Sequence, residues 1–380
     1  MDHESLTRMF IKKTDSIKSA MQSIDRGGLG LALVIDDERC LLGTVSDGEI
    51  RRAMLDSINL ESPVTVLFSR KVNTLYDRPI TAALGSTLQT LLELMHEYKL
   101  REIPLLDDQG RVVDLVVMDD LIPPGSSPMQ ATVMAGGLGT RLRPLTEEMP
   151  KPMLPVGGKP LLEVLLEQLR DAGIEHVNVS THYRPEKITN HFGNGDAFGV
   201  HLNYVNEELP LGTGGALGLM PRPTGTMLVI NGDVLTQVNF RSMLSFHKEN
   251  QADMTMAVRH YEFEVPFGVV DSDGVHVRGL QEKPRKSFFV NAGIYLLEPA
   301  VYEYIPHGNR FNMTELVQWL LDAGLNVVNF PVLEYWLDIG QHDDYIQAQQ
   351  DVAQGFIKYA RRGKAPSKTR ETKRKKSGRK

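Results

Sequence analysis

The chain of 380 residues contains one cysteine, Cys40. A single thiol closes no internal disulfide and builds no cysteine-based zinc site, which excludes disulfide-stapled secreted domains and fits a reducing compartment. Cys40 lies in the apolar run Cys40-Leu41-Leu42, a packing environment rather than that of an activated nucleophile. Long hydrophobic runs are also missing: no stretch of about 18 residues stays apolar, as a membrane-spanning helix would require. The start of the chain, MDHESLTRMFIKKTDS, carries charges where a signal peptide has its hydrophobic segment. A cytoplasmic protein without a membrane span is therefore expected. The histidines, among them His176, His182, His191 and His201, show neither an HExxH spacing nor close pairing, so a histidine zinc site is not expected. What remains is ordinary globular material, 41% apolar and 24% charged. Its length suggests two or three domains of about 100 to 200 residues.

Positive charge is scarce over most of the chain and concentrated at its end. Residues 361–380 hold eleven Lys or Arg against Glu371 alone, a local charge of +10, which leaves −16 on the rest of a chain whose net charge is −6. The tail has too few apolar residues to bury anything, and it is expected to be disordered in isolation, solvated or self-associating. It lacks the aromatics and the fold that would position it on a nucleic acid, and nucleic acid is not an expected partner.

An internal repeat organises the first third. Shifting the sequence by 71 residues lays Ala32–Ile50 over Ile103–Leu121 without a gap, with Val34-Ile35-Asp36-Asp37 falling on Leu105-Leu106-Asp107-Asp108. Each copy reads as an apolar strand, an acidic turn, a second apolar strand and a helix start. Amphipathic helices are predicted upstream, over 16–26 and 87–99, the latter with Leu88, Leu91, Leu92 and Met95 at helical spacing. These copies resemble a tandem pair of cystathionine-beta-synthase (CBS) domains, assigned to residues 1–125. In that family a Gly-x-x-Ser/Thr-x-x-Asp pattern at the strand-to-helix turn holds the ribose and phosphate of an adenine nucleotide. Gly43 and Ser46 match it, Glu49 stands in place of the Asp, and the second copy keeps only Asp120. The resemblance implies a regulatory or oligomerising module, with an adenine nucleotide as a candidate ligand at Gly43, Ser46, Glu49 and Asp120.

The run Ile122-Pro123-Pro124-Gly125-Ser126-Ser127-Pro128 suits neither helix nor strand, and 126–130 is expected to be a linker. A buried-strand pattern, Gln130 to Ala135, then enters Gly136-Gly137-Leu138-Gly139-Thr140-Arg141. Glycines directly after a parallel strand let backbone amides approach phosphate oxygens, and a following helical turn adds a positive dipole end. The prolines of Pro150-Lys151-Pro152 hold Lys151 on an extended segment. Strand and helix patterns alternate through 131–205, which predicts a mostly parallel α/β sheet.

The string GGLGTRLRPLTEEMPKPMLPV resembles the signature of the sugar-1-phosphate nucleotidyltransferases. Six further blocks follow in family order: 211–215 (LGTGG), 231–233 (NGD), 267–270 (FGVV), 282–284 (EKP), 291–293 (NAG) and 336–340 (WLDIG). The resemblance assigns a Rossmann-like nucleotidyltransferase domain to residues 131–357, with the basic tail at 358–380. It implies that Arg141, Lys151 and Asp233 are catalytic, and that Ala135, Gly136, Gly137, Gly139, Thr140, Glu207, Gly212 and Thr213 hold the nucleotide. Gly268, Glu282, Lys283 and Asn291 would hold the sugar phosphate, and Asp233 with Asp338 would hold magnesium. Asp233 follows the apolar strand Met227 to Ile230 and so stands at the carboxyl end of a parallel sheet. Hard carboxylate oxygens suit Mg2+, which retains waters and takes one or two protein carboxylates.

The loop Glu207 to Ala216 resembles that of guanylyltransferases acting on mannose or heptose 1-phosphate, and a CBS pair followed by a nucleotidyltransferase resembles enzymes that supply GDP-activated amino sugars. This points to GTP first and UTP next, with CTP and dTTP behind, in a cytoplasmic homo-oligomer making a GDP-sugar for nonulosonic acid or surface glycan synthesis. A catalytically inactive nucleotide-sugar-binding regulator is the alternative; it would usually lack one of Arg141, Lys151, Asp233, Lys283 or Asp338, all of which are present. Trp319 is expected to pack a helix.

Overall fold

The computed structural model describes residues 3–121 and 129–357. Residues 126–128 of the expected linker, the tail from 358, and the side chain of Asp120 lie outside what is described.

The first repeat comprises α1 (His3–Thr7), β1 (Phe10–Lys12), α2 (Ile17–Gly27), β2 (Leu31–Ile35), β3 (Leu41–Ser46), α3 (Asp47–Leu55) and α4 (Thr65–Ser69). The second comprises β4 (Ala82–Ala83), α5 (Leu88–Glu97), β5 (Glu102–Leu106), β6 (Val112–Val117) and α6 (Met118–Leu121). Each forms a three-stranded sheet, β1-β2-β3 or β4-β5-β6. The helix α2 starts where Ser16 Oγ accepts the Ser19 N–H at 3.1 Å, and it stops at Gly28, whose φ of 69° is the left-handed geometry a C-terminal glycine supplies. In α5, Leu91 and Met95 are buried, whereas Leu88, at the first helical position, is 52% exposed.

The 71-residue offset reappears as a local two-fold. Leu41 N–H donates to Gly110 O at 3.2 Å, and Val112 N–H donates to Arg39 O at 3.1 Å; residues 41 and 112, like 39 and 110, are related by the offset. Leu31, Leu33 and Ile35 share one buried cluster with Val112 and Leu115. Each copy thus covers apolar surface that the other would leave in water.

The larger domain opens with β7 (Gln130–Met134), β8 (Pro155–Val156), β9 (Lys159–Pro160), α7 (Leu161–Asp171), β10 (His176–Thr181), α8 (Pro185–Phe192) and β11 (His201–Asn206). It continues with β12 (Met227–Asn231), β13 (Val234–Thr236), α9 (Phe240–Glu249), β14 (Met254–Glu264), β15 (Val269–Asp273), β16 (His276–Gln281) and β17 (Arg285–Leu297). Then come α10 (Met313–Asp322), β18 (Val327–Pro331), β19 (Trp336–Asp338) and α11 (His342–Ala353). Seven strands form the central sheet in the order β11-β10-β7-β12-β17-β14-β18. Neighbours run parallel except at β17, which is antiparallel to both β12 and β14. The sheet is buried on both faces: Val133, Val179, Ile230 and Ile294 pack with Leu162 and Leu166 on one side, and Val229 and Leu297 pack with Leu217 and Leu316 on the other. This two-sided cover explains why its strands read as apolar runs. Beyond the sheet, β14 and β17 continue as a two-stranded arm, and β15 and β16 form a separate hairpin between them in the chain.

The CBS pair is docked on this domain. Leu55 packs into the cluster beneath the central sheet, and Leu333 packs into the core of the first CBS repeat. Among the described residues, no helix is long and apolar enough to cross a membrane.

Candidate nucleotide and metal site

The carboxyl ends of β7, β10, β11 and β12 open into a cleft of about 370 Å³. Open parallel sheets bind ligands at this edge, because the loops there diverge and helical amide ends point inward. The loop after β7 supplies Gly136, Gly137, Gly139, Thr140 and Arg141; Lys151, Glu207, Gly212, Thr213 and Asp233 complete the expected part of the lining. Ala135 lies behind the wall, 2% exposed, with its N–H donated to Ser180 O at 3.1 Å.

Two glycines of the loop are needed for different reasons. At Gly139 φ is +62° and an added Cβ would lie 3.0 Å from Thr146 Cγ2, while Thr146 Oγ1 donates to Gly139 O at 2.7 Å and pins the turn. At Gly136 an added Cβ would lie 2.5 Å from Glu207 Oε1. The Glu207 carboxylate runs close against the glycine backbone, with Oε2 accepting the Leu211 N–H at 3.0 Å. Glu207 is 4% exposed, yet it lines the cleft.

Lys151 stands in a single 3₁₀ turn (Lys151–Met153) after Pro150 and is 8% exposed. Its Nζ donates to Asp233 Oδ2 at 2.5 Å. Asp233 Oδ1 is buried and has no hydrogen-bond partner, a costly state for a carboxylate oxygen unless a ligand takes it up. Asp338 is brought alongside by the short antiparallel pairing of β13 with β19, in which Val234 faces Asp338, and by Ile339 N–H donating to Asp233 O at 3.0 Å. Removal from water, and then the neighbouring Asp233 charge, raise the Asp338 pKa, with Lys151 and Arg141 opposing. Among the described residues no group of three or more His, Cys, Asp or Glu could hold a metal. Two carboxylates with an open oxygen nevertheless suit Mg2+, whose remaining ligands are commonly water and substrate phosphate.

Gly268, Glu282, Lys283 and Asn291 are not among the residues lining this cleft. A Cβ on Gly268 would lie 3.2 Å from Glu282 Oε2, so these two meet beside the hairpin, with Lys283 exposed next to them at φ +44°. Asn291 Nδ2 donates to Tyr295 Oη at 2.6 Å, and its Oδ1 accepts the Gly293 N–H at 2.9 Å. That turn brings Gly293 against Asn231, a cleft residue. The cleft also recruits Met134, Ser180 and Asn231, to which the sequence reading assigned no role. Asn231 sits in the quoted NGD block, and that spacing is the available signal; Ser180 lies within the ordinary strand β10 and gives none. Trp319 packs on Phe311 with ring centroids 4.8 Å apart. Trp336 Nε1 donates to Ala292 O at 2.8 Å and thereby ties β19 to the central sheet.

In the first CBS repeat, Ser46 and Glu49 form a reciprocal cap on α3: Glu49 N–H donates to Ser46 Oγ at 3.3 Å and Ser46 N–H to Glu49 Oε2 at 2.8 Å. Glu49 Oε1 also pairs with Lys71 Nζ at 2.7 Å. Gly43 lies under the Phe68 ring, 2.5 Å from where a Cβ would be. A cleft of about 240 Å³ opens beside Ser46 and Glu49, lined also by Lys71, Lys99 and Arg101 and walled by Ser245 and Glu249 of α9.

Residues 130–355 match the nucleotidyl transferase family model, and residues 6–56 and 72–123 match the CBS domain. The chain belongs to the nucleotidyl transferase family. Its relatives differ in the nucleotide named. The mannose-1-phosphate guanylyltransferase of Mycobacterium tuberculosis is 36% identical over 237 residues, covering 60% of this chain and 66% of that protein. The UTP–glucose-1-phosphate uridylyltransferase of Synechocystis is 34% identical over 251 residues, covering 60% and 65%. The D-glycero-alpha-D-manno-heptose 1-phosphate guanylyltransferase of Aneurinibacillus thermoaerophilus is 35% identical over 229 residues, covering 59% and 98%. The chain thus spans just under two thirds of the first two relatives and nearly all of the third. A crystal structure described as a glucose-1-phosphate thymidylyltransferase of Bacillus anthracis aligns with a TM-score of 0.50 at 25% identity, over 61% of this chain and 98% of that one.

Proposed function

We propose that this nucleotidyl transferase joins a nucleoside triphosphate to a sugar 1-phosphate, forming an NDP-sugar and pyrophosphate, with GTP as the preferred nucleotide. A phosphate oxygen of the sugar 1-phosphate attacks the α-phosphorus in line. The bond from that phosphorus to the bridging oxygen breaks, and its electron pair leaves with pyrophosphate. The attacking monoester is already anionic near neutral pH, so no general base is required. Catalysis is then a matter of alignment and charge neutralisation.

The amides of Gly136, Gly137 and Gly139 with Thr140 cradle the triphosphate, and Arg141 braces the departing pyrophosphate. Lys151 neutralises charge on the α-phosphate as it becomes five-coordinate. Lys283, with Glu282, Gly268 and Asn291, takes the sugar phosphate from the arm side. Asp233 and Asp338 would hold Mg2+, which supplies divalent charge to the triphosphate. The carrying observation is the Asp233 carboxylate, with Lys151 on one oxygen and no partner on the other.

The preference for guanine rests on Glu207. A carboxylate only accepts hydrogen bonds, and guanine offers two adjacent donors, its ring N–H and its amino group. Uracil and thymine offer one ring N–H flanked by carbonyls, which would face the carboxylate unfavourably. The names of two guanylyltransferase relatives support the same reading. The CBS pair is assigned a regulatory or oligomerising role in a homo-oligomer. Pyrophosphate release with GTP, UTP, CTP and dTTP against a panel of sugar 1-phosphates, with and without Mg2+, tests the reading. A higher kcat/KM for a pyrimidine triphosphate would refute the guanine assignment, and no release with any pair would refute the activity.

A further inference from the structure

The largest side chain buried to within 2% exposure is a charged one from the CBS module, Arg51 of α3. Its Nε donates to Asp47 Oδ2 at 2.7 Å within its own helix. The rest of the guanidinium crosses to the catalytic domain: one Nη donates to Glu334 Oε1 at 2.9 Å, the other donates to Pro331 O, and the group lies 3.8 Å above the centre of the Phe330 ring. Only a planar fork makes all of these contacts at once.

The segment it grips is the one that delivers Asp338. Glu334 Oε1 also accepts the Asn239 N–H at 3.2 Å, at the start of α9. The next residue, Tyr335, has its carbonyl held by Thr236 Oγ1 at 3.0 Å and Gln237 N–H at 2.9 Å. Trp336 to Asp338 then pair with β13, directly after Asp233. Three residues therefore separate the carboxylate held by Arg51 from the one beside Asp233. At its start α3 is capped by Ser46, one of the residues that line the CBS cleft.

We propose that Arg51 is a positioning residue for catalysis: through Glu334 and Pro331 it sets the strand that carries Asp338, and it makes α3 the mechanical link between the CBS cleft and the metal carboxylates. The proposal rests on Asp338 belonging to the metal site, and its test is built to separate the two.

The full chain contains two tryptophans, so Trp319→Phe leaves Trp336, two residues from Asp338, as the sole reporter. In that background Arg51→Lys keeps the charge but loses the fork, and Glu334→Gln keeps the volume but loses the charge. Both should shift Trp336 emission and raise the Mg2+ concentration for half-maximal activity at least threefold, while the KM for sugar 1-phosphate stays constant. Arg52→Ala removes an exposed pair across the same docking interface, Arg52 Nη to Glu249 Oε2 of α9 at 3.4 Å, and spares the Glu334 and Pro331 contacts; it should leave both readouts in place. If Arg51→Lys and Glu334→Gln lower Tm but leave Trp336 emission and the Mg2+ requirement unchanged, Arg51 is merely structural and the proposal fails. Asp338→Asn is the separate control: an unchanged Mg2+ requirement there overturns the metal assignment, while the Trp336 shift in the Arg51 variant still reports on the link.

Discussion

Lys151 Nζ sits 2.5 Å from Asp233 Oδ2, while Oδ1 of the same aspartate is buried without a partner. The pair places the cleft's buried cation and its open acceptor on a single carboxylate. Lys151→Ala removes charge needed mainly in the transition state, so kcat should fall by about 10²- to 10³-fold with the fold retained. Asp233→Asn should abolish Mg2+-dependent turnover. Steady-state kinetics with circular dichroism as the folding control decides the matter, and near-wild-type kcat in Lys151→Ala would remove its assigned role.

Gly136→Ala tests the base pocket. The new methyl would meet Glu207 Oε1 at 2.5 Å and push the carboxylate aside, a flexible group that can move without unfolding the domain. The KM for GTP should rise about tenfold or more with little change in Tm, and discrimination between GTP and UTP should weaken. Loss of Tm without a change in KM would argue against Glu207 as a base contact.

Lys283→Ala separates the two substrates. Lys283 belongs to the hairpin region rather than the nucleotide cleft, so its loss should raise the KM for sugar 1-phosphate about tenfold and leave that for the triphosphate unchanged. Equal effects on both substrates would contradict the division of labour proposed between arm and cleft.

A buried histidine predicts pH-dependent stability. His247 Nδ1 lies 2.7 Å from Thr255 Oγ1 and Nε2 lies 3.0 Å from Glu298 Oε1. Burial lowers its pKa below 6.5, with Glu298 opposing. Because the folded state binds the proton less readily than the unfolded chain, the contribution of His247 is complete above about pH 6.5 and is lost as pH falls through the lower folded value. Tm measured from pH 8 to pH 5 should therefore fall more steeply for the wild type than for His247→Gln. Parallel curves would show that His247 does not titrate over this range.

Adenine nucleotides form the last trial. Ser46, Glu49 and Lys71 satisfy one another in the first CBS repeat, so a ligand that engages their charged atoms would exchange contacts already made. Calorimetry with AMP, ATP and S-adenosylmethionine should give about one site per chain, and Lys71→Ala should change the affinity. Absence of heat with all three would leave the module a purely structural one.

The modular architecture was legible in the sequence because each module repeats or alternates in ways that short-range physics enforces. Two copies of strand, acidic turn and strand at a 71-residue offset demand the same local fold twice, and the apolar run Met227 to Ile230 demands cover on both faces. Gly136 and Gly139 leave no free room for a Cβ beside Glu207 and Thr146, a crowding that a glycine run directly after a strand accommodates. Other features depended on contacts between residues far apart in the chain. Glu207 packs against Gly136 because β11 and β7 end at the same edge of the sheet, and no spacing encodes that. Gly268, Glu282 and Lys283 stand outside the nucleotide cleft because β14 and β17 carry the chain out along an arm. Arg51, one arginine among many on a helix that looks solvent-facing, became a buried bridge to Glu334 only when the CBS module docked. Local pattern reports which face of an element is apolar, whereas the identity of the surface it meets is set by the packing of the whole chain.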